Sequence, residues 1–585
     1  MATVLTVLVV LLHLTFLTHA GALWRDEVNS LEFARMHSLS SLHASLQFDS
    51  FPLLSTVFLR GWVSAGFGGS DWGLRLFGFI VGVGLLGAVW LAVRLLRCPA
   101  PLLSLALIGL SPVAIRATDS IRPYGLGMAL MVMTLGLLGR ALEVPTAARI
   151  VGAGVFGILS VQCMYQNAFL LFGIYVAGVV VALRDGRAKT AGGIGMLGVA
   201  AAISLVPYWP GLKAAQSWNV VNQRPTDVQG LLSVLVDALG SGGAMIGWFW
   251  IGLVVFCCTA AIYVQFSRTR PVGYEGRTLG SSPGRSGGAG RPRPVNRREQ
   301  TARPGREHEQ PGPGLPGSTR ERAGVVLPDP ALTGERGRSR ALFSVTAIMV
   351  ATAAFLVALK ATGLPTQAWY YVPLMTTVSP MLDATVWVIT TSKARRIGRV
   401  VLVLVIAGTA AFPGWRQVQE RQTNVDVVAS LLGQQAGAGD VIVVYPWYYG
   451  VSFRRYYTGV ATWVTLPPMD DVRIHRYDLL KTTMARSNPI DPVLETMAKT
   501  LKSGNRVWLV GGLPFLRSGE LPPTLPPAPN ATWGWNNGPY LVTWARQAAY
   551  FLQTHASGAK MLPVPANGPV NPLENLPLAV ASGWR

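Results

Sequence analysis

The feature that most constrains this chain is the recurrence, from its first residues to Pro413, of apolar runs long enough to cross a bilayer. Spanning a hydrocarbon core of about 30 Å takes roughly 20 residues of α-helix. In that medium a helix also satisfies its own backbone polar groups. Read against their flanks, the runs predict about eleven spans: residues 2–23, 73–95, 100–116, 121–139, 149–163, 166–183, 190–210, 244–266, 341–360, 369–391 and 398–413. With 50% hydrophobic and 13% charged residues, the chain falls outside the soluble globular class.

Residues 1–20 resemble a cleaved signal, with small residues after an apolar core. No Lys or Arg precedes that core, and it continues close to spanning length, so a retained first span is expected. The formal charge of +22 suits either nucleic-acid binding or the positive-inside rule. The basic residues lack the interleaved aromatics of a nucleic-acid groove, so no nucleic-acid partner is expected. With the N-terminus in the cytoplasm, the inner segments contain Arg94 and Arg97, Arg140 and Arg149, residues 184–189, 267–340 and 393–399, and each is basic. The same parity places segment 24–72, the turn at 116–120, the loop 211–243 and the tail on the outer side. Cys98, Cys163, Cys257 and Cys258 all lie in or beside spans, which implies no disulfide framework in the tail.

The expected fold is an α-helical polytopic membrane protein with a small C-terminal α/β extracytoplasmic domain. Residues 1–266 form the first transmembrane region, with an outer loop at 24–72. Residues 267–340, rich in Gly, Pro, Ser and Arg, read as a disordered basic cytoplasmic linker. Residues 341–413 supply the last spans and 414–585 the outer domain. In that domain a helix around 425–435 precedes two short buried strands near 440–445 and 506–511. Tyr448, Tyr449, Tyr456, Tyr457, Arg454 and Arg455 suit a sugar platform, or equally core packing and interface anchoring.

Asp26 and Glu27 stand side by side just after the first span, ahead of an amphipathic stretch over 28–46 expected to lie in the interface. Acids there also serve as plain helix caps. A second outer cluster holds Asp119, Ser120, Arg122, Pro123 and Tyr124. Asp119 or Ser120 is expected to cap the following helix, whose outward N-terminus beside Arg122 suits an anion; the alternative is an Arg snorkelling to lipid phosphates. Asp49 precedes Pro52 and Leu53, and Asp71 is expected to cap the second span with Arg75 one turn inside. An intramembrane Arg is either paired or functional. Pairing with an acid of the first loop and holding a phosphate both remain open for Arg75.

The order of these motifs resembles the GT-C superfamily of glycosyltransferases. It is most similar to the bacterial glycosyltransferase 39 type, which includes protein mannosyltransferases and the aminoarabinose transferase of lipid A. The matching residues are Asp26 with Glu27, Asp49 with Pro52 and Leu53, Ser70 and Asp71 with Arg75 and Leu76, and Arg122, Pro123 and Tyr124. The segment Tyr370, Tyr371 and Pro373 is similar to a late motif of the family. Phe51 replaces the first residue of the usual Pro-Pro, and Trp369 or Tyr370 the usual Arg.

The resemblance implies inverting transfer of a sugar from a polyprenyl monophosphate to an acceptor hydroxyl on the outer face, in a bacterial inner membrane with the site toward the periplasm. On that reading Asp26 is the general base and Glu27 orients it or the acceptor. Arg122, with Lys360, stabilises the leaving phosphate, and Asp49, Arg75 and Tyr124 complete the substrate site. The implied partners are a polyprenyl-phosphate sugar, a glycan, lipid or protein acceptor, and membrane lipids. No cofactor is required by spacing, although Asp26 and Asp119 could share a divalent metal ion. The competing readings are a flippase or transporter of lipid-linked sugars, an oligosaccharide polymerase or ligase, and a non-catalytic scaffold.

Overall fold

The computed structural model describes residues 1–224, 227–266, 334–390 and 392–585. Among these, nine helices are long and apolar enough to cross a membrane. They are Ala2–His19, Asp71–Leu95, Tyr124–Glu143, Asn167–Arg184, Ala188–Asn219, Ala244–Tyr263, Glu335–Thr362, Ala368–Ile389 and Lys393–Val418. The expected span at 149–163 is the shorter apolar helix Ala147–Cys163. The linker expected at 267–340 lies outside the described residues up to 333, whereas residues 335–340 already belong to the Glu335–Thr362 helix.

The run at 100–116 does not form one continuous helix. It breaks into Leu102–Ser104, the wide turn Leu105–Gly109 and the helix Pro112–Thr118. Pro112 cannot continue a hydrogen-bond ladder from the preceding turn, and the N–H groups that open the first turn at Leu102 need partners of their own. The buried Asp383 carboxylate, from Val372–Ile389, supplies some: it accepts from the Leu103 and Ser104 N–H groups at 2.9 Å each and from Ser104 Oγ at 2.8 Å.

Close approach of this segment to the second span depends on glycine. A Cβ on Gly78 would lie 1.7 Å from the Asp119 carbonyl oxygen, so no side chain fits there. The stretch expected as one amphipathic helix at 28–46 is two helices, Arg25–Ala34 and Leu39–Ser45. Ser38 restarts the second by accepting from the Ser41 N–H at 3.1 Å.

The C-terminal residues build a mixed five-stranded sheet of order β2-β1-β3-β5-β4. Its strands are β1 Val441–Val444, β2 Thr462–Thr465, β3 Val507–Val510, β4 Ala556–Leu562 and β5 Leu578–Trp584. β1 pairs in parallel with β2 and β3, while β5 is antiparallel to β3 and β4. Val441 and Val443 face a core containing Trp447, Tyr540 and Trp544; Ile442 and Val444 face another with Val425, Leu432 and Trp508. Burial on both faces explains why β1 and β3 read as continuous apolar runs. The helix Val425–Gln435 and both expected strands are present.

This domain docks onto one end of the helices through specific polar contacts. Arg455 Nη2 donates to Asp71 Oδ1 at 2.6 Å and Tyr456 Oη to Asp71 Oδ2 at 2.7 Å. Asp71 therefore does not cap its helix. Ser70 does, accepting from the Gly73 N–H at 3.1 Å, because a short hydroxyl before the first turn reaches that N–H. Tyr457 stacks on Phe453 inside the domain, so of the aromatics and arginines of this stretch Arg455 and Tyr456 serve docking and Tyr457 core packing.

Candidate functional site

The first span ends at His19, and Gly21 turns the chain with φ +66°. A Cβ at Gly21 would meet the Arg421 guanidinium at 2.7 Å. Within a few residues the helix Arg25–Ala34 begins, and its first turn carries Asp26 and Glu27.

The two acids have opposite surroundings. Glu27 is fully buried. Its Oε1 accepts from Arg75 Nη1 at 2.5 Å and from the Ile121 N–H at 3.4 Å, and its Oε2 from the Trp24 N–H at 3.4 Å. Arg75 also donates through Nη2 to the Ala22 carbonyl at 2.8 Å. The pair therefore locks the first loop onto the second span and the 121–124 turn, and Arg75 is a structural partner rather than a free phosphate ligand.

The Asp26 carboxylate is only partly covered and, among the described residues, makes no hydrogen bond. Its nearest cations are Arg25 Nε at 3.9 Å and Arg122 Nη2 at 4.0 Å. Burial pushes its pKa up, but Arg122 and Arg25 outweigh that and hold the carboxyl below its ordinary value. Arg122 is aimed by three contacts: Nη1 donates to the Asp26 carbonyl at 3.1 Å and to Ser30 Oγ at 3.3 Å, and the guanidinium lies 4.7 Å from the Phe51 ring centre. Asp49, half-buried nearby, accepts from the Ser50 N–H at 2.7 Å. Burial raises it to about 6, with Arg122 pulling the other way.

Asp26, Arg122 and Tyr124 line a cavity of about 370 Å³ together with Arg116, Trp369 and Gln422. Arg116 is braced by Glu420 at 2.6 Å. Tyr124 is buried with its ring edge on Phe51. Lys360 is exposed and does not border this cavity.

Asp119 is not with Asp26. Its two carboxylate oxygens lie 2.7 and 2.9 Å from Nδ1 of His13 on the first span, and the residue ends Pro112–Thr118 instead of capping the next helix. A buried carboxylate needs hydrogen-bond partners, and His13 is one of them. The expected Asp26 and Asp119 metal pair is therefore not formed. Among the described residues no group of three or more His, Cys, Asp or Glu side chains gathers to hold an ion.

Several residues of the site carry no local sequence signal. Glu574, fully buried, accepts from Arg25 Nη1 at 2.9 Å, from the Arg25 N–H at 3.1 Å and from Ser452 Oγ at 2.8 Å. Arg25 in turn lies over Tyr448 and Tyr449 at 5.0 and 5.6 Å. His475, anchored by its N–H to Asn29 Oδ1 at 2.9 Å, also faces Asp26. Burial lowers its pKa to about 4, and its Nε2 has no hydrogen-bond partner among the described residues. Only the adjacency of Arg25 to the acidic pair was a usable clue. Glu574 and His475 reach the site from more than 440 positions away, as the contact spans of 549 and 446 residues show.

The chain matches no family model and no curated protein. Its fold is similar to solved structures of low identity. ArnT from Cupriavidus metallidurans bound to undecaprenyl phosphate aligns with TM-score 0.46 and 12% identity over 87% of this chain and 92% of that one. The apo form of the same protein gives TM-score 0.46 and 13% identity over the same shares. The oligosaccharyltransferase from Archaeoglobus fulgidus, in complex with Zn and sulfate, gives TM-score 0.41 and 11% identity over 86% of this chain and 67% of that one.

Proposed function

We propose that this chain is an integral membrane glycosyltransferase that moves a sugar from a polyprenyl monophosphate to an acceptor hydroxyl, with inversion, and that Asp26 is the base. The observation that carries this reading is the contrast within the acidic pair. Glu27 is consumed by Arg75, whereas Asp26 borders a cavity with neither oxygen hydrogen-bonded among the described residues and with two arginines in the same cavity. The motif order shared with the GT-C superfamily supports the same assignment.

The geometry suits the chemistry. An acceptor hydroxyl gives its proton to Asp26 as its oxygen bonds to the anomeric carbon; the bond from that carbon to the phosphate oxygen breaks, and polyprenyl phosphate leaves. Arg122 and Arg116 supply the positive field that this leaving group needs. Arg122, with Nη2 4.0 Å from Asp26, helps hold the Asp26 pKa below its ordinary value. A phosphate that engages Arg122 relaxes that hold, so the carboxylate becomes more basic when the donor is in place. A bacterial inner-membrane location with the site toward the periplasm belongs to this proposal.

The test is turnover of a purified polyprenyl-phosphate sugar by the reconstituted protein, followed by mass spectrometry. Release of free polyprenyl monophosphate with an inverted glycosidic product supports the proposal. A diphosphate product indicates a polymerase or ligase. Movement of intact donor across the bilayer without cleavage indicates a flippase.

A further inference from the structure

An apolar groove lies apart from the Asp26 cavity and shares no lining residue with it. Its volume is about 790 Å³, and its walls come from Ala244–Phe266, Val372–Ile389 and the first turns of Lys393–Val418. Trp248 and Tyr263, both on its lining, are 15 positions apart, which at 1.5 Å per residue makes it about 22 Å long. Gly252 and Gly398 contribute to its walls, and a Cβ at either would meet no atom within 4 Å. The space above both is open.

One end of the groove is basic. Arg395 and Arg399 line it, and exposed Lys393 stands beside them at the start of the same helix. Arg395 Nη1 closes the turn by donating to the Ile389 carbonyl at 2.7 Å. Arg399 rests over Trp387 at 5.2 Å, and its Nη1 is buried with no hydrogen-bond partner among the described residues. A buried donor without an acceptor is costly, so the position favours an anion. The helix N-terminus adds its own partial positive charge.

We propose that this groove is a binding site for one anionic glycerophospholipid, with an acyl chain along the Trp248 to Tyr263 wall and the phosphate at Arg395 and Arg399. The site is separate from that of the sugar donor. On the same helix Gln417 borders the Asp26 cavity, and the 18 positions from Arg399 to Gln417 span about 27 Å. The basic end therefore faces the leaflet opposite the Asp26 cavity, where a donor phosphate would be out of reach of Asp26. The lipid pins Ala244–Phe266 to Lys393–Val418.

Native mass spectrometry of the full chain, released from nanodiscs of phosphatidylcholine with a minor fraction of phosphatidylglycerol, tests this. One phosphatidylglycerol should be retained roughly tenfold in preference to phosphatidylcholine. Gly398→Trp fills the groove without a clash at its Cβ, and Arg395→Gln removes an exposed charge; each should cut that preference about fivefold or more, with the thermal midpoint measured alongside. Equal retention of the two lipids overturns the proposal. So does selective retention that both variants leave unchanged, or preferential retention of added polyprenyl phosphate. A variant that loses its fold is replaced by Lys393→Gln, read in the same way.

Discussion

The Arg75 guanidinium and the Glu27 carboxylate meet at 2.5 Å with their side chains only 3% and 0% exposed. This buried pair stands one position from the Asp26 carboxylate, which makes no hydrogen bond among the described residues, so the two adjacent acids have different surroundings. Removing one member leaves the other as an uncompensated buried charge. Arg75→Met or Glu27→Gln should each destabilise the protein by about 3–5 kcal/mol, read as a lower thermal midpoint in detergent. The double replacement should cost clearly less than the sum.

Asp26→Asn preserves shape but cannot accept a proton. Turnover should fall by ~10²- to 10⁴-fold while donor affinity stays near that of the parent. Near-normal turnover in a folded, inserted Asp26→Asn protein would move the base to Asp49.

Arg122 should act on the donor. Arg122→Ala should weaken donor binding, and Arg122→Lys should restore it only in part, because a point charge replaces a planar fork. Titrating polyprenyl phosphate against the purified variants checks both.

The pH profile should expose Asp49. Burial holds its pKa near about 6, whereas Asp26 is held below its ordinary value. On raising the pH through about 6, Asp49 loses its proton and adds negative charge beside Arg122 while Asp26 is already ionised. The kcat/KM profile should therefore show a step near pH 6 in the parent and none in Asp49→Asn.

On the proposed mechanism Glu574 is a positioning residue, since it holds Arg25 and does not line the cavity. Glu574→Gln should cost about 1–3 kcal/mol of stability. Freeing Arg25 also lets it approach Asp26, so the proton-acceptor limb should move to lower pH. A purely structural role would lower stability without moving that limb.

Sidedness can be read with exposed positions at the two ends. Ser50→Cys and Thr554→Cys should react with a membrane-impermeant reagent added outside, and Lys393→Cys should not. Labelling of Lys393→Cys in intact cells would reverse the topology.

What the sequence determined by itself is whatever rests on composition and period. Spanning helices, the sheet domain after the last span and the two strands buried on both faces all follow from local apolar runs, because removing apolar side chains from water needs no knowledge of the partner. The acidic pair after the first helix and the Arg122 turn were legible as motifs in the sequence. Which acid is free was not, since Asp26 and Glu27 are adjacent and chemically alike. Only the tertiary structure decided it, by bringing Arg75 onto Glu27, His13 onto Asp119 and Glu574 onto Arg25. Ionic pairing inside a low-dielectric interior is set by which charges arrive within a few ångströms of one another. Partners separated by 48, 106 and 549 positions leave no trace in local spacing, so pairing belongs to the fold, and with it which of the two adjacent carboxylates is paired.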